Sequence, residues 1–306
     1  MKKRWILLGV IGLPFLIGGA CFLEAHFEIQ SLEAPLPSDE ALRSFAAGPA
    51  GPERMVWLES GRQQRPDGGA STTGGFLLVW PDGRTFLIDV GMTADGMLEF
   101  GAVMEGALGA LPVQVFGSIG AQLGTAANRI EGVAFTHLHH DHTDGAPELC
   151  AARDGRPLAL YQVADQAERG NYTTDPGRDR VEDAECLRPV VLQAEQEGEA
   201  LLPVPGLPGL AIFAAGGHTP GSTVFVARFP DRLVYIAGDI TNEHARLLAN
   251  EGKGFVYSYL LIPENTGRLE TLRRWLADRH AEPDTWVVVS HDLVGMAEAG
   301  MELPAR

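Results

Sequence analysis

With 306 residues, 45% of them apolar and 21% charged, the chain can bury a large core and is not globally disordered. Its 40 acidic and 24 basic residues give a formal net charge of −16, which lacks the basic footprint that nucleic-acid binders present to phosphates. Three cysteines are too few for a disulfide scaffold.

The N-terminus, "MKKRWILLGVIGLPFLIGGACFL", carries Lys2, Lys3 and Arg4 and then runs uncharged from Trp5 to Leu23. That run has the length of a helix crossing a hydrocarbon core. Residues 1–24 are therefore expected to form a transmembrane signal-anchor helix. The alternatives are a signal peptide cleaved near Gly18 and Ala20, or lipidation at Cys21. Cys21 lacks the leucine usual three positions ahead of a lipidated cysteine, so the uncleaved anchor ranks first. The basic flank stays cytoplasmic by the positive-inside rule, which puts the rest of the chain outside the cytoplasm. This means the periplasm in a Gram-negative cell, or secretion if the segment is cleaved. Residues 25–52, rich in Pro, Ala, Ser and acids without sustained periodicity, read as a linker, and 53–306 as one folded domain.

Within that domain "RMVWLES" reads as a strand and "GRQQRPDGGASTTGG" as a flexible glycine-rich loop. The latter lacks the lysine and strand-to-helix setting of a phosphate loop. "FLLVWPDGRTFLIDVG" is a hairpin turning at Pro81-Asp82-Gly83, with Asp89 ending its second strand. Residues 95–129 contain weak helical stretches, and "IEGVAF" is a short buried strand. "PLALYQV" and "ADQAERG" follow as strand and helix. "CLRPVVL", "GLAIFAA", "TVFVARF" and "RLVYIAGD" read as four more strands. "TGRLETLRRWLADRH" places Leu269, Leu272 and Leu276 on one helical face behind a cap at Asn265 or Thr266. "TWVVVSHD" is a last buried strand. Strands interleaved with helices, with polar residues at strand ends, indicate a layered α/β domain.

The chemistry concentrates in "THLHHDHTDG". Of nine histidines in the chain, His137, His139, His140 and His142 fall within this stretch. His218, Asp239 and His291 end other apolar runs in the same manner. A loop leaving a strand can aim His137 and His139 at one point and Asp141 and His142 at a second, which suggests two metals. "HLHHDH" matches the H-x-H-x-D-H signature of the metallo-β-lactamase superfamily. "LIDVG", "GHTPGS", "AGD" and "SHD" resemble its other motifs in order, and the resemblance spans roughly residues 53 to 295.

The resemblance implies a four-layer αββα fold and a dinuclear site. One zinc would be held by His137, His139 and His218, a second by Asp141, His142 and His291, with Asp239 bridging them. Imidazole and carboxylate donors suit zinc and also accept iron or manganese. The resemblance further implies a metal-bridging hydroxide that attacks a carbonyl, with Asp141 both ligating and orienting it. Asp89 would orient a ligand histidine. A bridging Asp239 is similar to glyoxalase II and lactonases more than to true β-lactamases. The substrate is then a small molecule with an ester, lactone, thioester or amide bond. Two other readings stand beside this one: an iron-dependent oxidoreductase of the same superfamily, similar to sulfur dioxygenases, and a non-catalytic metal-binding protein.

Other residues are given blander roles. His26, His244 and His280 read as structural, His140 as exposed beside the site, and Asp144 and Gly145 as turn residues. Tyr257 and Tyr259 either line a substrate pocket or belong to the core. Cys150 and Cys186 either pair in an oxidising compartment or remain free and buried.

Overall fold

The structure is a computed structural model that describes residues 18–49, 51–194 and 198–304. Two β-sheets lie face to face. The first contains β1 (Arg54–Gln64), β2 (Ala70–Val79), β3 (Thr85–Ile88), β4 (Gln114–Val115), β5 (Ile130–Ala134), β6 (Leu158–Gln162) and β7 (Leu187–Val191), in the order β4-β1-β2-β3-β5-β6-β7. The second contains β8 (Leu202–Pro203), β9 (Leu210–Ala214), β10 (Thr223–Arg228), β11 (Leu233–Ile236) and β12 (Thr285–Val288), in the order β12-β11-β10-β9-β8. Both sheets are mixed: hairpin neighbours pair antiparallel, whereas β3–β5–β6–β7 and β11–β12 pair parallel across longer connections.

Alternation along the strands divides the apolar residues between layers. Trp57, Phe76, Phe86 and Ile88 of the first sheet meet Ile212, Phe225, Ile236 and Val288 of the second in a shared core. On the outer face of the second sheet, Phe213, Val226 and Tyr235 are covered by Leu269, Leu272 and Leu276 of the helix Thr266–His280. Leu87, Val133 and Leu160 on the opposite outer face meet Ile119 and Leu149 of short helices. This is the expected αββα layering. The helix Thr266–His280 is capped by the Asn265 side chain, which accepts from the Arg268 amide.

The stretch read as a glycine-rich loop is mostly strand. β1 runs through Gln64 and β2 starts at Ala70, with a register shift between Glu59 and Gly61. Glycine there serves close approach rather than flexibility: a Cβ on Gly74 would lie 2.1 Å from the Leu58 carbonyl oxygen, and one on Gly75 2.1 Å from that of Asp89.

Residues 1–17 of the expected anchor lie outside the described residues, and among the described residues no helix is long and apolar enough to cross a membrane. Residues 18–31 are helical. The stretch read as an unperiodic linker contains a second helix, Asp39–Ala47, capped by Ser38. Its Leu42 is buried, with Leu36 and Phe45 packed alongside the same cluster as Tyr235 and Leu276. A single turn-to-turn apolar contact is too short a signal to stand out in sequence, and tertiary packing supplies the rest.

Cys150 and Cys186 form a disulfide, which ties the helix Ala146–Ala152 to the residue preceding β7. Among the described residues Cys21 is the free cysteine.

Candidate metal centre

All seven sequence-derived ligands converge at one edge of the two sheets. β5 ends at Ala134 and delivers His137 and His139; the short helix His140–Thr143 adds Asp141 and His142. His218 follows β9, Asp239 follows β11 and His291 follows β12. His137 Nε2 lies 3.0 Å from His139 Nδ1, which lies 3.1 Å from His218 Nε2. Nearby, Asp141 Oδ2 is 3.5 Å from Nε2 of both His142 and His291. Asp239 spans the groups, with Oδ1 3.1 Å from His291 Nε2 and 3.5 Å from His142 Nε2, and Oδ2 3.8 Å from His218 Nε2.

The surrounding hydrogen bonds fix which ring nitrogen carries the proton. His218 Nδ1 lies 2.6 Å from the Glu264 carboxylate, so it donates and leaves a lone pair on Nε2. Thr173 Oγ1 gives its proton to Asn171 and can only accept from His139 Nε2, so His139 Nδ1 carries a lone pair. Thr136 Oγ1 gives its proton to Asp89, which makes the His137 Nδ1 contact a donation by the ring. His142 Nδ1 donates to Asp89 at 2.8 Å, and His291 Nδ1 to the Thr72 carbonyl at 2.7 Å.

Five imidazole nitrogens therefore face one another and two carboxylates: Nε2 of His137, His142, His218 and His291 and Nδ1 of His139. The lone pairs of the neutral trio His137, His139 and His218 repel one another unless a cation stands between them. The separations of 3.0 and 3.1 Å in the first trio approach the edge of a tetrahedral zinc shell, about 3.3 Å for bonds of ~2.0–2.1 Å. His142 Nε2 and Asp239 Oδ1 are buried without a hydrogen-bond partner, as expected of groups kept for a metal. The donor set is that of a divalent-metal centre, with ligand atoms lying within 4.8 Å of one another in each of three groups.

The electrostatics agree. Burial, reinforced by neighbouring imidazoles, pushes His137 and His139 well below the ordinary histidine range, so both rings are neutral. Burial and the nearby Lys253 ammonium lower His218 as well. Burial works against charge on His142 too, yet the Asp141 and Asp89 carboxylates raise it to about 10. His291 is also raised: burial opposes, but Asp239 prevails. The carboxylates thus favour positive charge at both Nε2 atoms, whether a proton or a metal ion. Asp239 itself is held well below the carboxylate range because His291 and Lys253 outweigh its burial.

Asp89 supports this arrangement from the left-handed backbone region, φ 61°. A non-glycine residue rarely adopts that conformation. There its carboxylate accepts from the Thr136 amide and hydroxyl as well as from His142.

Other residues take different places. His140 is part-exposed beside Asp144 rather than among the ligands, and His26, His244 and His280 lie in other contacts. Asp144 is more than a turn residue: it is buried, accepts from Thr93 and pairs with Arg180. Tyr257 stacks 6.5 Å from the His218 ring, while Tyr259 is at the surface.

Two functional residues have no counterpart in the sequence reading. Glu264 is fully buried and also accepts from Ser258 Oγ. The Lys253 ammonium, its side chain 4% exposed, lies 3.3 Å from Asp239 Oδ2 and 4.8 Å from the Tyr257 ring centre. The one available signal was a carboxylate, Glu264, closing the otherwise apolar run "FVYSYLLIPEN".

The model of the metallo-β-lactamase superfamily matches residues 76–291. The chain belongs to that superfamily. None of the curated proteins compared with it matches. Among solved structures, an N-acyl homoserine lactone hydrolase with product bound at its catalytic metal centre is similar with a TM-score of 0.56 and 11% identity, covering 81% of this chain and 96% of that one. A quorum-quenching N-acyl homoserine lactone lactonase has a TM-score of 0.56 at 12% identity, covering 80% and 94%. A probable metal-dependent hydrolase from Staphylococcus aureus has 0.58 at 15% identity, covering 80% and 91%. At these identities the likeness is one of fold.

Proposed function

We propose that this metallo-hydrolase is a dizinc enzyme that cleaves a carbonyl bond of a small molecule, with esters and lactones ahead of thioesters and amides. The observation that carries the reading is the set of five inward-facing imidazole nitrogens closed by two carboxylates. His137, His139 and His218 would hold one zinc and Asp141, His142 and His291 the other, with Asp239 between them. Zinc bound there supplies Lewis acidity: it polarises a carbonyl and lowers the pKa of a water toward neutrality.

The protein's own groups do the positioning. Asp141 has the most exposed side chain of the seven, 15%, and can accept a hydrogen bond from a water entering from solvent. Asp89, Thr72, Glu264 and Thr173 each accept a hydrogen bond from the outer ring nitrogen of a proposed ligand, which locks its orientation. Burial and the surrounding carboxylates hold the Tyr257 hydroxyl protonated against the pull of Lys253, so it is a neutral group beside His218.

The resemblance of a bridging aspartate to lactonases, and the fold likeness to lactone hydrolases, support the ester and lactone preference. The apolar run Trp5–Leu23 behind Lys2, Lys3 and Arg4 supports attachment to a membrane with the domain outside the cytoplasm. The Cys150–Cys186 disulfide supports the same side, where oxidised pairs persist.

The test is a hydrolysis screen of esters, lactones, thioesters and β-lactams by the full chain, with chelator-treated and zinc-restored samples. Zinc-restored turnover of an ester or lactone is expected. Absence of turnover across the panel at full zinc occupancy would favour a metal-binding role.

A further inference from the structure

The residues beside the metal centre that do not serve it form an apolar surface. The turn Val256–Leu261 has two sides. Inward, Tyr257 stacks on His218 and Ser258 donates to Glu264. Outward, Phe255, Val256, Leu260 and Leu261 are each more than half exposed. The neighbouring 171–174 segment repeats the pattern: Thr173 meets His139, while the partly exposed Tyr172 reaches the Leu261 carbonyl at 3.3 Å.

The N-terminal helix, residues 18–31, extends this surface. His26 Nε2 lies 3.1 Å from the Tyr259 carbonyl, and its ring contacts both Phe22 and Tyr259, which in turn stacks on Phe255. Leu23 and Phe27 of this helix are also more than half exposed. Clustered apolar side chains of this kind mark an interaction surface.

The chain itself indicates what covers it. The uncharged run that starts at Trp5 behind three basic residues leads directly into Leu23, at the patch. Tyrosines at the edge of an aliphatic patch suit the lipid–water boundary, where amphipathic rings settle. A second copy is a poor occupant, because chains carrying a net charge of −16 repel one another.

We propose that the outer face of the 255–261 turn, together with Leu23 and Phe27, rests on a lipid bilayer and brings the metal centre to the membrane surface. The inference rests on the membrane attachment proposed above and adds an orientation to it.

The experiment reconstitutes the full chain, carrying Cys21→Ser, into phosphatidylcholine vesicles. A bimane label is placed through Leu260→Cys or, as a control on a distant exposed turn, Asp231→Cys. Flotation of the vesicles reports attachment separately. Doxyl-phosphatidylcholine carrying its quencher about 5–10 Å below the headgroups, the depth that interfacial apolar side chains reach, should strongly quench the label at position 260 and spare that at 231. Aqueous iodide should do the reverse. Flotation with position 260 open to iodide would overturn the orientation and leave attachment standing, whereas failure to float would overturn both. Protection from both quenchers with chain-to-chain crosslinking at position 260 would replace the bilayer by a second copy.

Discussion

Glu264 Oε1 lies 2.6 Å from His218 Nδ1, both side chains being buried. Glu264 stands 46 residues from its partner in sequence, and it orients the metal-facing nitrogen without touching the metal position. Loss of such a partner typically costs 10–100-fold in metal affinity. Glu264→Gln keeps the shape but removes the charge, so zinc affinity is expected to fall by about that factor while the circular dichroism spectrum is unchanged. Competition with a chromophoric chelator measures it, and unaltered affinity would refute the role.

Lys253 acts in the opposite sense. Its ammonium competes with a metal for Asp239, 3.3 Å away. Lys253→Met should therefore tighten zinc binding in the same titration; weaker binding would show that the lysine organises the site instead.

Metal uptake at the proposed ligands must displace protons. The His142 imidazole is raised to about 10, chiefly by Asp141 and Asp89 acting against burial, and it must become neutral to bind metal. Its proton is held below that pH, so apparent zinc affinity should rise as pH rises through the neutral and alkaline range. Titration calorimetry in buffers of different ionisation enthalpy counts the released protons. A count of zero at pH 7 would contradict the assignment of His142.

The residues proposed as ligands were legible in the sequence because each ends an apolar strand or opens the following turn, where local periodicity announces both the element and its polar terminus. His137 and Asp141 even share one ten-residue stretch, "THLHHDHTDG". Glu264 and Lys253 were not legible, since they reach the site from the irregular stretch between β11 and β12, and only packing brings them to His218 and Asp239. The same limit hid the helix Asp39–Ala47, whose stability comes from contacts with Tyr235 and Leu276 nearly 200 residues or more away. Gly74 and Gly75 suggested mobility in sequence; close backbone approach explains them in the strand.

That helix makes the region ahead of β1 part of the fold. Burying a leucine such as Leu42 contributes roughly 1.5–3 kcal/mol. A fragment starting at Glu53 should melt below one starting at Leu36, as followed by thermal denaturation. Equal melting temperatures would show that the helix contributes nothing.

The Cys150–Cys186 bridge, with a sequence separation of 36 residues, restricts the unfolded chain by about 4 kcal/mol in the chain-entropy account. The Cys150→Ala/Cys186→Ala pair should melt several degrees lower with its metal content unchanged. An unchanged melting temperature would mean that the bridge does not stabilise the fold.

The most direct test of the dinuclear centre is metal analysis of the full chain purified without added metal, alongside Asp239→Asn. The account gives two zinc ions per chain, with fewer in the variant. A single iron per chain, accompanied by oxygen consumption, would contradict it.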